Sequence, residues 1–153
     1  MIIFRKINEN DLEMIMRWRI KPEVTRYMVT DLVFDMDKQY VWYRDFVKIH
    51  SRPRHWIIRY NEIDIGVLSL DNYEENLQTS WGYYLSDKKY WVLGGLIPAY
   101  FYNYMFFVRD LRLTKIGGHL FAKNEKIRKL HNFYGCDESE ILRNKIEKNG
   151  NLY

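Results

Sequence analysis

Hydrophobic positions change period several times along these 153 residues, and each change marks an element. Ile2, Ile3 and Phe4 open a short β-prone segment over residues 1–6. Asn10 or Asp11 then reads as a helix N-cap, with Leu12, Ile15, Met16 and Arg19 following at helical spacing. Pro22 limits that helix, because the residue before a proline is biased away from α geometry. A second helical pattern follows Asp35 and Asp37, with Tyr40, Val41, Tyr43, Phe46 and Val47 as its apolar side. Beyond Arg52-Pro53-Arg54, residues 55–60 and 63–70 read as two strands joined by the polar turn Asn61-Glu62. Residues 79–85 read as another strand, entered through a polar loop. Later come a strand over 111–121 containing Gly117-Gly118 and a helix over 124–134 stopped by Gly135. Residues 140–146 suggest one more strand before the turn-like Asn149-Gly150. The predicted order β-α-α-β-β-β-α-β-α-β is mixed: an antiparallel meander leads into a β-α-β unit, which excludes a regular doubly wound fold.

The run over residues 90–108 is the longest without a charge. Its length alone qualifies as a membrane span. Gly94-Gly95 interrupts it, however, and Pro98 follows where only the first turn of a helix tolerates proline. About a dozen helical residues remain, roughly 18 Å against the ~30 Å of a bilayer core. Tyr100, Tyr102, Tyr104 and Asn103 also crowd the middle, where a membrane helix disfavours them. A glycine turn feeding a helix packed inside an α/β domain is therefore expected. Such a turn lets a phosphate approach the N–H groups of Leu93, Gly94, Gly95, Leu96 and Ile97, where the helix dipole also favours an anion. The plainer alternative is a turn with no ligand.

Composition narrows the picture. The length suits a single domain over residues 1–153 with a substantial core. Hydrophobic residues at 47% and charged residues at 29% exclude a disordered chain. A net charge of +4 suits an anionic small molecule but is too weak and dispersed to point to nucleic acid. Cys136 is the only cysteine, so no intrachain disulfide or thiolate cluster forms. No His/Asp/Cys group has metal-ligand spacing, and no metal is expected. The N-terminus lacks a signal-peptide core, and a reducing cytoplasm fits, with no membrane partner and a homodimer allowed.

Three stretches resemble the GCN5-related N-acetyltransferases (GNAT), which move acetyl from acetyl-CoA to an amine. Trp81-Gly82-Tyr83-Tyr84-Leu85 is similar to the family's fourth strand, some form of "GYxL". Leu93-Gly94-Gly95-Leu96-Ile97 stands where the family has its pyrophosphate loop, Q/R-x-x-G-x-G/A, with Leu93 at the first glycine. Residues 124–135, NEKIRKLHNFYG, follow N-x-x-x-x-x-L-(Y/H)-x-x-x-G, with Cys136 in place of the usual phenylalanine. The order and spacing agree over about residues 2–150. The chain stops at Tyr153, where the family normally adds a final strand, so that strand is expected to be missing through truncation or shortening. Trp18 to Val24, with Tyr27-Met28, and residues 140–150 resemble the branch that acetylates a 4-amino sugar on UDP in pseudaminic acid synthesis. The ribosomal-protein and polyamine branches, and an inactive acyl-CoA- or partner-binding module, stay open as alternatives.

The resemblance implies roles for particular residues. Backbone groups of Tyr83, Tyr84 and Leu85 would take the pantetheine arm of acetyl-CoA as an added strand, with an N–H near Tyr84 steadying the oxyanion. His131 falls where the family commonly has a tyrosine that protonates the departing thiolate; the plainer role is a packing histidine. His119, Glu74 and Glu75 are candidates for the base that the attacking amine requires, although water can serve instead. Asn124 is the helix N-cap and lies near the cofactor arm in the family. Arg19, Met28, Gln39 and Glu74 would line the acceptor pocket, with Arg19 suited to a diphosphate. The alternative for Arg19 is a surface ion pair with Glu23 at i, i+4.

Overall fold

The computed structural model describes residues 1–26, 28–48, 54–71, 78–108, 113–143, 145–148 and 150–152. Five strands, β1 (Ile2–Lys6), β2 (His55–Tyr60), β3 (Ile63–Asp71), β4 (Gln78–Leu85) and β5 (Lys115–Gly117), form one sheet in sequence order. The first four are antiparallel neighbours, whereas β5 runs parallel to β4, as a β-α-β crossover requires. Asn61 and Glu62, both at positive φ, make the tight turn between β2 and β3.

The middle of the sheet is buried on both sides. Trp56, Ile58, Leu68, Leu70, Trp81 and Leu85 face the helix α4 (Ile97–Asn103). Ile57, Val67 and Tyr84 face the helices α1 (Leu12–Arg19) and α3 (Met36–Trp42). Period-2 alternation in β4 thus sends Trp81, Tyr83 and Leu85 to one layer, Gly82 and Tyr84 to the other. A short helix α2 (Pro22–Thr25) follows α1, and α5 (Glu125–Phe133) packs beside α4. α3 and α4 each run on as a π-helical stretch, Tyr43–Lys48 and Tyr104–Val108. No helix among the described residues is long and apolar enough to cross a membrane.

Four boundaries differ from expectation. Asp11, one of the two expected caps, is the N-cap of α1 but makes no side-chain capping bond there. A further cap, Asn8, stands ahead of it, its side chain accepting from Asn10 N–H at 2.9 Å while Asp11 bonds back to Asn8 N–H at 2.8 Å. This capping box tightens Glu9–Asp11 into a 3-10 turn ahead of α1. The Asp11 carboxylate is shared between Asn8 N–H and Arg5, the latter at 2.7 Å, rather than bonding the N–H groups of α1. The strand expected over 111–121 contracts to Lys115–Gly117, with positions 109–112 outside the described residues. In the strand expected over 140–146, the described residues 140–143 and 145–146 are not a strand, and Ile141 and Leu142 lie exposed. Beyond it, an unexpected short hairpin forms, β6 (Glu147–Lys148) pairing with β7 (Asn151–Leu152) in a two-stranded sheet apart from the main one.

Candidate functional site

The cleft begins where β5 leaves β4. Pairing covers Gln78, Thr79 and Ser80 against Lys115, Ile116 and Gly117 and then stops. Gly118 turns away over the Trp81 carbonyl, where a Cβ would stand 3.2 Å from that oxygen. Ser86 N–H bonds Ile65 C=O at 2.8 Å, so the even-numbered β4 residues direct their backbone toward β3. By alternation, the N–H and C=O of Tyr83 and Leu85 point into the gap left by β5. Tyr84 has its own N–H on the β3 side, opposite Val67, so the outward N–H groups near it are those of Tyr83 and Leu85. An edge of this kind can accept an extended ligand as an additional strand.

The glycine segment closes one end of the gap in a form the sequence did not predict. Lys88–Gly95 is a continuous 3-10 helix leading into α4, and neither Gly94 nor Gly95 has positive φ. Tyr90 N–H bonds Asp87 C=O at 3.1 Å, and Leu96 N–H bonds Leu93 C=O at 2.9 Å. The helix pattern therefore occupies donors expected to be free between Leu93 and Leu96. Ile97 is buried, Leu96 exposed. Tyrosine hydroxyls hold the segment from two sides: Tyr83 donates to Gly94 C=O at 2.9 Å and Tyr134 to Gly95 C=O at 2.6 Å. A Cβ on Gly95 would meet nothing within 4 Å, so its open face borders space rather than protein.

Trp81 is the hub of the α4 side. Its indole stacks on Phe101 with centroids 3.9 Å apart, and the His131 ring meets its edge at 5.8 Å. Burial lowers the His131 pKa below its ordinary value, which keeps the imidazole neutral at pH 7. Burial also pushes the Tyr83 phenol up to about 12, helped by Tyr134. The Tyr102 phenol rises too, through burial and its 3.4 Å contact with Cys136 Sγ, so both phenols stay protonated. Asn124 is the α5 N-cap, but its side chain makes no capping bond; its carbonyl accepts from Ile127 and Arg128 instead. His119 is exposed in the coil after β5, away from the contacts that join His131 to Trp81.

On the opposite face Gly82 leaves open space, with nothing within 4 Å of a Cβ built there. Beside it lies Tyr84, whose phenol burial raises well above its ordinary range, opposed by the Arg19 charge. Arg19 does not pair with Glu23. Its Nη2 donates to the Thr30 carbonyl at 2.9 Å and to Thr30 Oγ1 at 3.1 Å. Its Nη1 is buried with no hydrogen-bond partner among the described residues. Burial lowers the guanidinium pKa, and Tyr84 and Asp31 only partly offset this. Gln39 is buried on α3, and Met28 is half-buried with its carbonyl bonded to Lys148 at 2.6 Å. Glu74 and Glu75 lie outside the described residues. No group of three or more His, Cys, Asp or Glu among the described residues gathers as metal ligands.

Sequence reasoning gave no role to Trp81, Tyr134 or Lys148. Trp81 and Tyr134 sit inside the quoted motifs, but their partners, Phe101, His131 and Gly95, are distant in sequence. Lys148 also lies in the tail, residues 140–150, that carried part of the resemblance, but its partners are more than a hundred residues away.

A central strand with one edge opened by a diverging parallel neighbour, and a helix start at the mouth of the gap, defines a domain built to bind an extended ligand beside a mixed sheet. Residues 1–137 match the acetyltransferase (GNAT) domain, and the chain belongs to that family. Solved structures share its fold. A spermidine N-acetyltransferase from Vibrio cholerae, in complex with CoA and spermine, is 17% identical with a TM-score of 0.84, over 99% of this chain and 89% of that one. The Campylobacter jejuni N-acetyltransferase PseH, in complex with acetyl coenzyme A, is 18% identical with a TM-score of 0.64, over 92% and 93%. A domain from Methanocaldococcus jannaschii is 20% identical with a TM-score of 0.71, over 92% and 90%. No curated protein matches the chain in sequence.

Proposed function

We propose that this chain transfers acetyl from acetyl-CoA to a primary amine on a small molecule that also carries an anionic group, a nucleotide-linked amino sugar being the preferred class. Family membership supports the transfer, and the free edge at Tyr83 and Leu85 supports the site of the cofactor arm. The observation that carries the acceptor class is Arg19, a half-buried cation whose Nη1 is unpaired among the described residues and whose charge acts on Tyr84, on the same face of β4 as Gly82. An acceptor phosphate or carboxylate would satisfy that donor, whereas a polycation would meet a like charge there.

In this mechanism the amine nitrogen attacks the thioester carbonyl carbon directly. The negative charge gathers on the carbonyl oxygen, within reach of an outward N–H of β4, with Tyr83 and Leu85 the available donors. The C–S bond then breaks and the thiolate takes a proton from His131, whose neutral imidazole has first accepted one from the amine through water and so ends unchanged. Water carries that proton, since His119 stands exposed in the coil.

A second reading has its own observation. The 3-10 helix that engages N–H groups before Leu96 favours an acyl-CoA- or partner-binding module without turnover. Calorimetric titration with acetyl-CoA, repeated for Gly95→Glu, separates the two, followed by an assay for released thiol with a UDP-linked 4-amino sugar and with spermine. The transferase reading expects a Kd of about 1–100 μM, lost in the variant, and turnover of the sugar. Binding without turnover of any amine favours the module. Turnover of spermine in preference to the sugar overturns the Arg19 argument.

A further inference from the structure

The segment after α2 has almost nothing apolar to hold it. Residues 28–35 carry no regular structure, and Val29, Leu32, Val33 and Phe34 are all exposed, Val33 by 85%. A stretch without apolar burial opens easily unless polar tethers fix it. Two cations supply those tethers. Arg19 grips Thr30 from α1, as above. The other comes from the far end of the chain: Lys148 on β6 is 8% exposed, and its ammonium donates to Thr25 C=O at 2.9 Å, Met28 C=O at 2.6 Å and Asp31 Oδ1 at 2.6 Å.

These three acceptors match the three protons of an ammonium, so the buried charge is fully used. Thr25 C=O closes α2 and also accepts from Met28 N–H at 2.9 Å, and Met28 C=O lies three residues further on, so the ammonium adds to a turn already begun by the backbone. The partners lie 117 to 123 residues away in sequence, so the small hairpin β6–β7 is anchored to the segment by this side chain. Arg19 and Lys148 also share Asp31, directly for Lys148 and electrostatically for Arg19. The position of the segment and the exposure of the Arg19 charge are therefore coupled.

We infer that Lys148 is a positioning residue: the C-terminal hairpin locks residues 25–31 through it, and so sets the shape and charge of the acceptor side while leaving the cofactor edge on β4 untouched. This rests on the proposed acceptor site. The Lys148→Met variant removes the three bonds with little change in volume, and Asp31→Asn weakens one of them at a half-exposed position where folding is not at stake.

Hydrogen exchange over residues 26–35 tests the lock without any activity. Lys148→Met should raise exchange there at least about tenfold, and Asp31→Asn less, with β2 and β3 unchanged. With turnover in hand, the acceptor KM should rise about tenfold or more while the acetyl-CoA Kd stays within about twofold. Unchanged exchange over 26–35 in both variants overturns the lock, as does a loss of acetyl-CoA affinity equal to the loss of acceptor affinity. Should Lys148→Met fail to fold, faster exchange confined to 26–35 in Asp31→Asn upholds it, and none overturns it. A wild type that acetylates no amine defeats the proposed function alone, because the exchange result stands apart from it.

Discussion

Gly66→Ala should damage the cofactor edge from the strand behind it. Gly66 on β3 lies opposite Leu85, at a place where β2 and β3 slip register between Ile58 and Arg59. A Cβ built on Gly66 falls 2.2 Å from the Tyr84 carbonyl oxygen and 3.1 Å from Leu85 Cα. The first distance is more than an ångström short of the 3.4 Å where ordinary contact begins, and both obstacles are backbone. No rotamer change relieves it, so β3 and β4 must separate at Tyr84-Leu85. Overpacking of a filled core costs about 1–3 kcal/mol, and the lower half of that range is already a large share of a marginal stability. The same displacement moves the outward N–H groups of Tyr83 and Leu85, and an error of about 1 Å in a reacting geometry can cost on the order of 100-fold in rate. Urea denaturation should show a lower midpoint at unchanged slope, and calorimetry a weaker acetyl-CoA Kd. Stability within about 0.5 kcal/mol of the parent together with an unchanged Kd would refute the reasoning, because it would mean that the two strands are not in the contact described.

Three further outcomes follow from the same geometry. Burial alone would raise the Asp64 pKa, but hydrogen bonds from Arg5 and Arg59 hold it down to about 2. Its contribution of about 2 kcal/mol is present above the ordinary carboxylate range and lost as pH falls from about 4 toward 2; acid unfolding of Asp64→Asn should lack that step. Replacing His131 by Gln should lower kcat by about tenfold to a hundredfold with acetyl-CoA affinity intact, and an unchanged kcat would leave His131 as packing against Trp81. Removing the Tyr134 hydroxyl, which donates to Gly95 C=O at 2.6 Å, should cost about 0.5–1.5 kcal/mol of stability and weaken acetyl-CoA binding several-fold by calorimetry.

Where local pattern and tertiary demand agreed, the chain was legible from its residues. Asn61-Glu62, Gly135 and the strands around them follow from turn chemistry and period-2 alternation, and the structure places both turns at positive φ. The first helix cap was readable at Asn10 or Asp11, and Asp11 is the α1 N-cap, but the Asn8 capping box ahead of it and the pairing of Asp11 with Arg5 were not. The glycine pair was not readable in its final form: whether Gly94-Gly95 turns or continues as a 3-10 helix depends on Tyr83 and Tyr134, which hold its carbonyls from other elements.

Sequence by itself determined the mixed α/β class, the meander before the β-α-β unit and the family, because periodicity, turn residues and motif order are local properties. Tertiary structure alone decided which β4 groups face the gap, that Arg19 turns to Thr30 rather than Glu23, and that Lys148 reaches back to Thr25, Met28 and Asp31. The physical reason is range. Arg19 ends α1 and Glu23 lies in α2, so the i, i+4 pair does not share one helix. Thr30, Thr25, Met28 and Asp31, by contrast, are brought near only by folding, and only the folded chain shows it.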